Sequence, residues 1–521
     1  MLTLSANDGF PGRTPTTQQK TVTVKADTIA PVVTVAKPTP NQQLQEAAGA
    51  TFDLELTAID AEVAVKTVTA SFNGTTYTLT PVTGRPNVFA KTGVPIPDVD
   101  GTEPVEKIVT FTVTDYQPNT TTVPVTVTVK PLIDPNAPKV SWLCGSPNAM
   151  LPPGYAATLS VLAVPSSANN GVSKVEFTID NGTPIAATHA GSNVWNATYT
   201  VPANAANGAV LNVRAAATST ANNVSTLLGT LLVVTGTDIP TTSFINANDT
   251  QWENLSVIVR SGGTLYVTGP HALKNLVVLS GGKVIQQHND LGKADLLTVE
   301  RLYVGCGGSI DVNGIGYAKG TTFPGAGNPD DAAGGSHIGR GSLWNHYAGG
   351  TFGSVYRPME AGGGAHAYSG SGNGGGSVRI HAASSAAIDG AIRAQGADSG
   401  IPASAGGSVW ITTAGPLSGG GSITANGSSL SNTSGGAGGG GSIALEYASV
   451  SGALTSNLTA RGGTSPSGWN GGAGSIYLKS SSAPFGELVV DSTGISQSLG
   501  WTDLPSFGRS RATAVNASSI T

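Results

Sequence analysis

At 521 residues the chain is longer than one core usually organises, so several domains are expected. Charged residues make up only 11%, against about 25% in typical domains, and the net charge is −5. That balance excludes the basic footprint of a nucleic-acid binder, and no apolar run is long enough for a membrane-spanning helix.

The first residues, Met1-Leu2-Thr3-Leu4-Ser5, lack the basic and apolar regions of a signal peptide and read as part of a strand. With the abrupt end at Ile520-Thr521, they suggest a piece of a longer polypeptide whose further domains would be partners. Residues 1–240 are rich in Thr and Val and carry turn signals at strand spacing. Lys20-Thr21-Val22-Thr23-Val24-Lys25 alternates as a strand, and Val125-Thr126-Val127-Thr128-Val129-Lys130 nearly copies it. Each precedes an Asp…Pro junction, Asp27 to Pro31 and Asp134 to Pro138, with a looser copy at Thr237-Asp238-Ile239-Pro240. Proline ends ladder pairing and Asp favours a turn, so these junctions read as domain boundaries. Their spacing of roughly 100 residues is that of a β-sandwich. The expected organisation is the last strands of a truncated sandwich over 1–26, one sandwich over 27–133, and another over 134–238.

Modules of this size joined by Asp-x-x-Ala-Pro resemble the tandem immunoglobulin-like domains of bacterial surface and secreted proteins. The resemblance implies stalk, spacer or adhesive roles. Calcium at the inter-domain junctions is one reading of Asp60, Glu62, Asp134 and Asn136, and ordinary Asx turns are the other. Cys144 and Cys306 fall in different predicted domains and are expected to be unpaired, buried thiols.

Beyond residue 240 glycine becomes dense, and a new rhythm begins at Leu255. Val257-Ile258-Val259 and Leu276-Val277-Val278-Leu279 read as first rungs of a stack. Two patterns then alternate. One starts at Ser377, Ser408, Ser442 and Ser475 and continues apolar-x-apolar; the other is Ile392-Arg393-Ala394, Ile423-Thr424-Ala425 and Leu458-Thr459-Ala460, each ending near a glycine. Ile310-Asp311-Val312 is an earlier copy of the second. A strand of period two cannot bury its apolar face alone, and stacking each repeat on the last does so. The predicted fold class is therefore all-β, with sandwiches followed by a parallel β-helix or β-solenoid over 239–521. A β-propeller competes less well, because only two strands are evident per repeat. The sandwich before the stack could cap one end of it.

The connection over 315–376 is several times longer than its counterparts at 397–407, 428–441 and 463–474. Long insertions often carry sites. This one gathers Asp330, Asp331, His337, Arg340, Trp344, His346, Tyr356, Arg357, Glu360 and His366. Its histidine spacing matches no compact metal motif, and an ordered covering loop is the plainer reading. A second candidate is the outward column Arg379, Trp410, Ala444 and Tyr477, whose aromatics could stack on sugar rings. The selected binding candidates are Trp410, Tyr477, Arg379, Trp344, His337, Arg340, His346 and Glu360; no catalytic or metal residue is assigned. Residues 255–521, with Gly334-Gly335-Ser336-His337, Tyr356-Arg357-Pro358 and Gly474-Ser475-Ile476-Tyr477-Leu478-Lys479, are similar to glycine-rich β-solenoid segments of giant bacterial surface proteins, some of them Rhs-associated. That resemblance implies export to the cell surface and a structural or adhesive role. The expected function is a non-catalytic extracellular segment that engages glycans or another cell-surface component. The alternatives are a polysaccharide lyase or hydrolase on the β-helix, or a purely structural part of a large toxin or fibre.

Overall fold

The computed structural model describes residues 2–6, 16–20, 26–47, 49–99, 104–131, 134–145, 148–342, 348–397, 402–431, 433–492 and 502. It is all-β, with no α-helix among the described residues and two single-turn 3-10 helices. Two compact units form, Met1–Ile133 and Asp134–Thr521.

In the first unit, Leu2–Ala6 pairs antiparallel with Thr16–Lys20. Residues 21–25, most of the first alternating strand expected from the sequence, lie outside the described residues. Two further sheets follow. Val32–Lys37, Thr51–Ile59, Val88–Pro95 and Thr80–Pro81 form one. Gln42–Gln45, Thr120–Lys130, Val105–Asp115, Val65–Phe72 and Thr75–Thr78 form the other. Period-two alternation drives both: Val109, Phe111 and Val113 are fully buried, and the residues between them are half-exposed. They join Leu54, Leu56 and Val127 in one core, where Phe52 meets Phe72 edge-on at 5.2 Å.

The second unit opens with the same plan. Lys139–Cys144, Ala156–Val164, Val194–Thr200 and Thr188–Gly191 repeat the four-stranded sheet in the same order. Ala149–Leu151, Val224–Val233, Val210–Ser219, Val172–Ile179 and Ile185–Ala186 repeat the five-stranded one. Even the parallel pair at its edge recurs, Gln42–Gln45 with Thr120–Lys130 and Ala149–Leu151 with Val224–Val233.

From Thr237 the pairing becomes parallel, until Glu487–Val489 pairs antiparallel with Ser475–Ser480 at the far end. Thr237–Ile239, Ser256–Val259, His271–Val278, Leu297–Val304, Ser377–Ile388, Ser408–Thr413, Ser442–Tyr447 and Ser475–Ser480 add one after another to a first parallel sheet. The strands between them in sequence, Thr242–Ile245, Thr264–Thr268, Lys283–Gln287, Ser309–Asp311, Ala391–Arg393, Ser422–Thr424 and Leu458–Thr459, build a second. Val378, Val409, Ile443 and Ile476 are register partners in turn, and so are Ile310, Ile392, Ile423 and Leu458 on the other sheet. Both rows belong to one continuous aliphatic core. Thr237-Asp238-Ile239 is thus a strand of this stack, where the sequence suggested a junction. Ile239 is buried in that aliphatic core, and Asp238 pairs with Arg260 at 2.8 Å.

The preceding sandwich covers the outer face of the first parallel sheet over its early strands. Ile258, Val277, Leu279, Tyr303 and Ala387 point away from the aliphatic core and share a second core with Trp142, Leu159 and Phe177 of the sandwich. Cys144 and Cys306 meet across this contact in a disulfide, Cα to Cα 5.7 Å, which corrects the expectation of unpaired thiols. The two cysteines lie in different domains by sequence, and shared packing brings those domains together there. Asp389 sits beside the bridge, buried. Its carboxylate accepts the Gly145 N–H at 3.0 Å from the sandwich and the Gly420 N–H at 3.3 Å from the stack. Its charge and burial together push the Tyr303 hydroxyl well above its usual range, burial being the larger cause.

The glycines fill a third layer. Each glycine before a repeat serine abuts the previous repeat: a Cβ on Gly407 would lie 1.9 Å from the Gly376 carbonyl oxygen, on Gly441 2.0 Å from that of Gly407, and on Gly474 1.9 Å from that of Gly441. The described parts of the long connection, 315–342 and 348–376, thread the same layer. Gly335 N–H donates to the Ala403 carbonyl at 3.0 Å, Gly439 N–H to Gly335 at 2.9 Å, Gly375 N–H to Ala405 at 2.9 Å, and Gly339 N–H to Gly440 at 2.9 Å. Extended glycine segments thus satisfy one another's backbone at separations no side chain permits.

We expect Gly407→Ala and Gly439→Ala each to lower the stability of the second unit by more than about 3 kcal/mol in denaturant unfolding. Gly171→Ala, where the nearest atom to the new Cβ is a Thr220 methyl at 4.0 Å, should change it by less than about 1 kcal/mol. Replacing both Cys144 and Cys306 by Ser should cost about 2–5 kcal/mol, because the bridge closes a separation of 162 residues.

Candidate functional site

Over the first half of Ser377–Ile388 and over the three strands that follow it, the outer face of the first parallel sheet is free of the sandwich core. Register places Arg379, Trp410, Ala444 and Tyr477 in one row, and His381, Thr412, Glu446 and Lys479 in the next. Strands about 4.8 Å apart put such side chains in contact. The Arg379 guanidinium lies over the Trp410 ring, 4.8 Å from its centroid. Trp410 Nε1–H donates to Glu446 Oε1 at 3.1 Å, and His381 Nδ1 and Thr412 Oγ1 are hydrogen-bonded at 2.8 Å. All of these except Ala444 are half-buried, so the face is held in place yet open to solvent.

Part of the long connection borders this face at the strand starts. Ser408 Oγ–H donates to the Glu360 carbonyl at 2.6 Å, and Ser442 Oγ–H to that of Ser354 at 3.3 Å. Tyr356 packs edge-on against Tyr477 with centroids 4.8 Å apart. Burial holds both hydroxyls above the usual tyrosine range, and Glu446 and Tyr356 add to the effect at Tyr477. Arg379 is anchored by its Nη1–H to the Ala294 carbonyl at 3.2 Å, and the Ala294 N–H reaches Met359 O at 2.9 Å. The sequence singled out the first row. Glu446, His381 and Thr412 were missed, although the same period of two places them one step further along each strand.

The other candidates from the connection do not join this row as a group. His337 is fully buried. Its Nδ1 hydrogen-bonds the Gly406 carbonyl at 2.9 Å, its Nε2 has no partner, and its ring packs at 5.0 Å on Phe352. Desolvation lowers its pKa to about 4, outweighing the bonds to the Gly406 and Gly407 backbone. With Nε2 bare and Nδ1 donating, it is a neutral imidazole. Arg340 contributes its carbonyl to Gly472 N–H at 2.7 Å, and the Glu360 carboxylate turns back to accept the Met359 N–H at 3.0 Å. Asp330 and Asp331 are exposed, and Asp331 accepts from the Tyr368 hydroxyl. Trp344 and His346 lie outside the described residues. Of the positions considered for calcium, Asp134 Oδ1 accepts Asn136 N–H at 2.8 Å in an Asx turn, and Asp60 Oδ1 accepts Glu62 N–H at 2.9 Å while its Oδ2 has no partner.

No family model and no curated protein matches the chain. Solved structures that resemble parts of it include fibronectin(III)-like modules of Clostridium thermocellum CbhA (16% identity, 39% of this chain and 94% of that one, TM-score 0.15). Another is the Bacteroides ovatus mixed-linkage glucan utilization locus protein SGBP-B in complex with a mixed-linkage heptasaccharide (14%, 42% and 51%, TM-score 0.23). A third is the D00-D0 domain of intimin (15%, 39% and 100%, TM-score 0.15). At these TM-scores the likenesses assign neither a family nor a function.

Proposed function

We propose that this chain is a non-catalytic segment of an exported bacterial surface protein, in which immunoglobulin-like sandwiches present a β-solenoid whose outer face binds carbohydrate. Support for the solenoid is the regular alternation of strands between two in-register parallel sheets. Support for export is the Cys144–Cys306 bridge, since disulfides form and persist in oxidising compartments. The observation that carries the binding reading is the Arg379–Trp410–Glu446 cluster. A half-buried aromatic ring with a guanidinium over one face and a carboxylate at its Nε1–H offers a sugar apolar surface edged by a planar donor and an acceptor. Tyr477, packed against Tyr356 and Gly486, is a border of the face more than a free platform. The long connection is in this reading a structural element: buried His337 holds glycine segments together and does no chemistry.

On a glycan array the intact chain should retain a subset of oligosaccharides, and Trp410→Ala should weaken the retained ones at least tenfold without shifting the melting temperature by more than a few degrees. No retention, or equal affinity in Trp410→Ala, contradicts the binding reading. His337 gives a second test. Its folded pKa is depressed, so the unfolded chain takes up a proton that the native fold refuses. The neutral form's contribution is complete above the unfolded pKa of about 6.5 and is lost as pH falls toward 4. Urea titrations between those values should show the parent losing up to about 3 kcal/mol more than His337→Gln.

A further inference from the structure

One end of the first complete sandwich gathers three aspartates from separate elements. Asp27 precedes the strand Val32–Lys37, Asp60 follows Thr51–Ile59, and Asp115 ends Val105–Asp115. One carboxylate oxygen from each lies within 4.8 Å of the others. Asp27 is 7% exposed and Asp115 0%, while Asp60 is half-buried.

Each carboxylate is already oriented by the backbone. Asp27 Oδ1 accepts Ile29 N–H at 2.9 Å. Asp60 Oδ1 accepts Glu62 and Val63 N–H at 2.9 and 2.8 Å, and Asp115 Oδ1 accepts Gln117 and Asn119 N–H at 2.6 and 3.1 Å. The second oxygens behave differently. Asp115 Oδ2 takes Asn119 Nδ2–H at 2.9 Å, but Asp27 Oδ2 and Asp60 Oδ2 are buried with no hydrogen-bond partner. Buried charged oxygens are costly without a donor or a cation upon them. Among the described residues no Lys or Arg ion pair reaches any of the three.

The second sandwich supplies an internal control, because its strand order is the same. There Asp134 stands in the place of Asp27, and Ser219 and Asn223 in the places of Asp115 and Asn119. With the strand Ala156–Val164 followed by Pro165 and Ser166, the corner keeps one carboxylate. Both of its oxygens are used, by Asn136 N–H at 2.8 Å and Asn223 Nδ2–H at 2.7 Å. The same corner is therefore closed by hydrogen bonds from neutral donors in one sandwich and left with two bare carboxylate oxygens in the other.

We propose that Asp27, Asp60 and Asp115 form a calcium site in the first sandwich. The donors are all hard carboxylate oxygens with no His or Cys among them, which favours calcium over the softer transition metals. The partly open side at Asp60 leaves room for water to complete the six to eight oxygens calcium takes. The site fixes the entry of the chain into the sandwich, since Asp27 lies just before its first strand. This inference stands apart from the carbohydrate reading, which concerns the other unit.

The test is thermal unfolding of the chelator-stripped full chain, titrated with calcium chloride or magnesium chloride. Calcium should raise the midpoint of the first unit's transition by about 10 °C at a hundredfold excess over a Kd on the order of 10⁻⁴ to 10⁻³ M. Magnesium should raise it by far less. Asp60→Asn, at a half-exposed position that tolerates the change, should abolish the calcium shift, and Asp134→Asn should preserve it. Absence of a calcium shift, an equal response to magnesium, or a shift that survives both Asp60→Asn and Asp27→Asn overturns the proposal.

Discussion

Backbone packed directly on backbone is the constraint from which the glycine-rich half follows. Where a Cβ on Gly374 would lie 1.8 Å from the Gly362 carbonyl oxygen, and one on Gly439 1.8 Å from that of Gly339, only hydrogen fits. Removing side chains forfeits apolar burial, so these segments are held by N–H to C=O bonds between neighbours and by the aliphatic core beside them. Most of these crowded glycines lie outside the left-handed region; close approach, more than left-handed backbone, selects the residue there. The described parts of the long connection, 315–342 and 348–376, are consequently an integral layer, in which the Ser336 hydroxyl and the His337 ring bond the Ala348 and Gly406 carbonyls.

The second constraint is that the first parallel sheet is buried on both faces over its early strands. Val257, Ile258 and Val259 are all essentially inaccessible, and so are Leu276, Val277 and Val278. One face meets the opposite sheet and the other meets the sandwich. Where the sandwich ends, the outer face changes from Val277 and Tyr303 to Arg379, Trp410 and Glu446, and the sheet becomes a surface. The disulfide and Asp389 lie at that contact, and hold the sandwich against the stack from its own side.

Much of this was legible in the chain. Period-two alternation located the strands and the row of Val378, Val409, Ile443 and Ile476, because a one-residue slip would expose the whole row. The continuous apolar runs at Val257 and Leu276 also carried the message of burial on both faces. Read that way, they would have brought a second domain onto the sheet, and Cys144 with it to Cys306. Contacts between residues far apart in sequence are harder to read. Asp27, Asp60 and Asp115 are separated by whole strands, and only the fold collects them. For Trp410, alternation supplied the direction of the side chain, but the Glu446 partner required the register.

Amide hydrogen exchange, read by mass spectrometry over 333–342, 361–365, 374–376, 403–407 and 436–441, addresses the glycine layer most directly. If these segments bond to one another as described, their amides exchange with the same strong protection as the aliphatic strands beside them. Exchange at the rate of a solvated loop, while Ser408–Thr413 and Ser442–Tyr447 stay protected, would contradict the account.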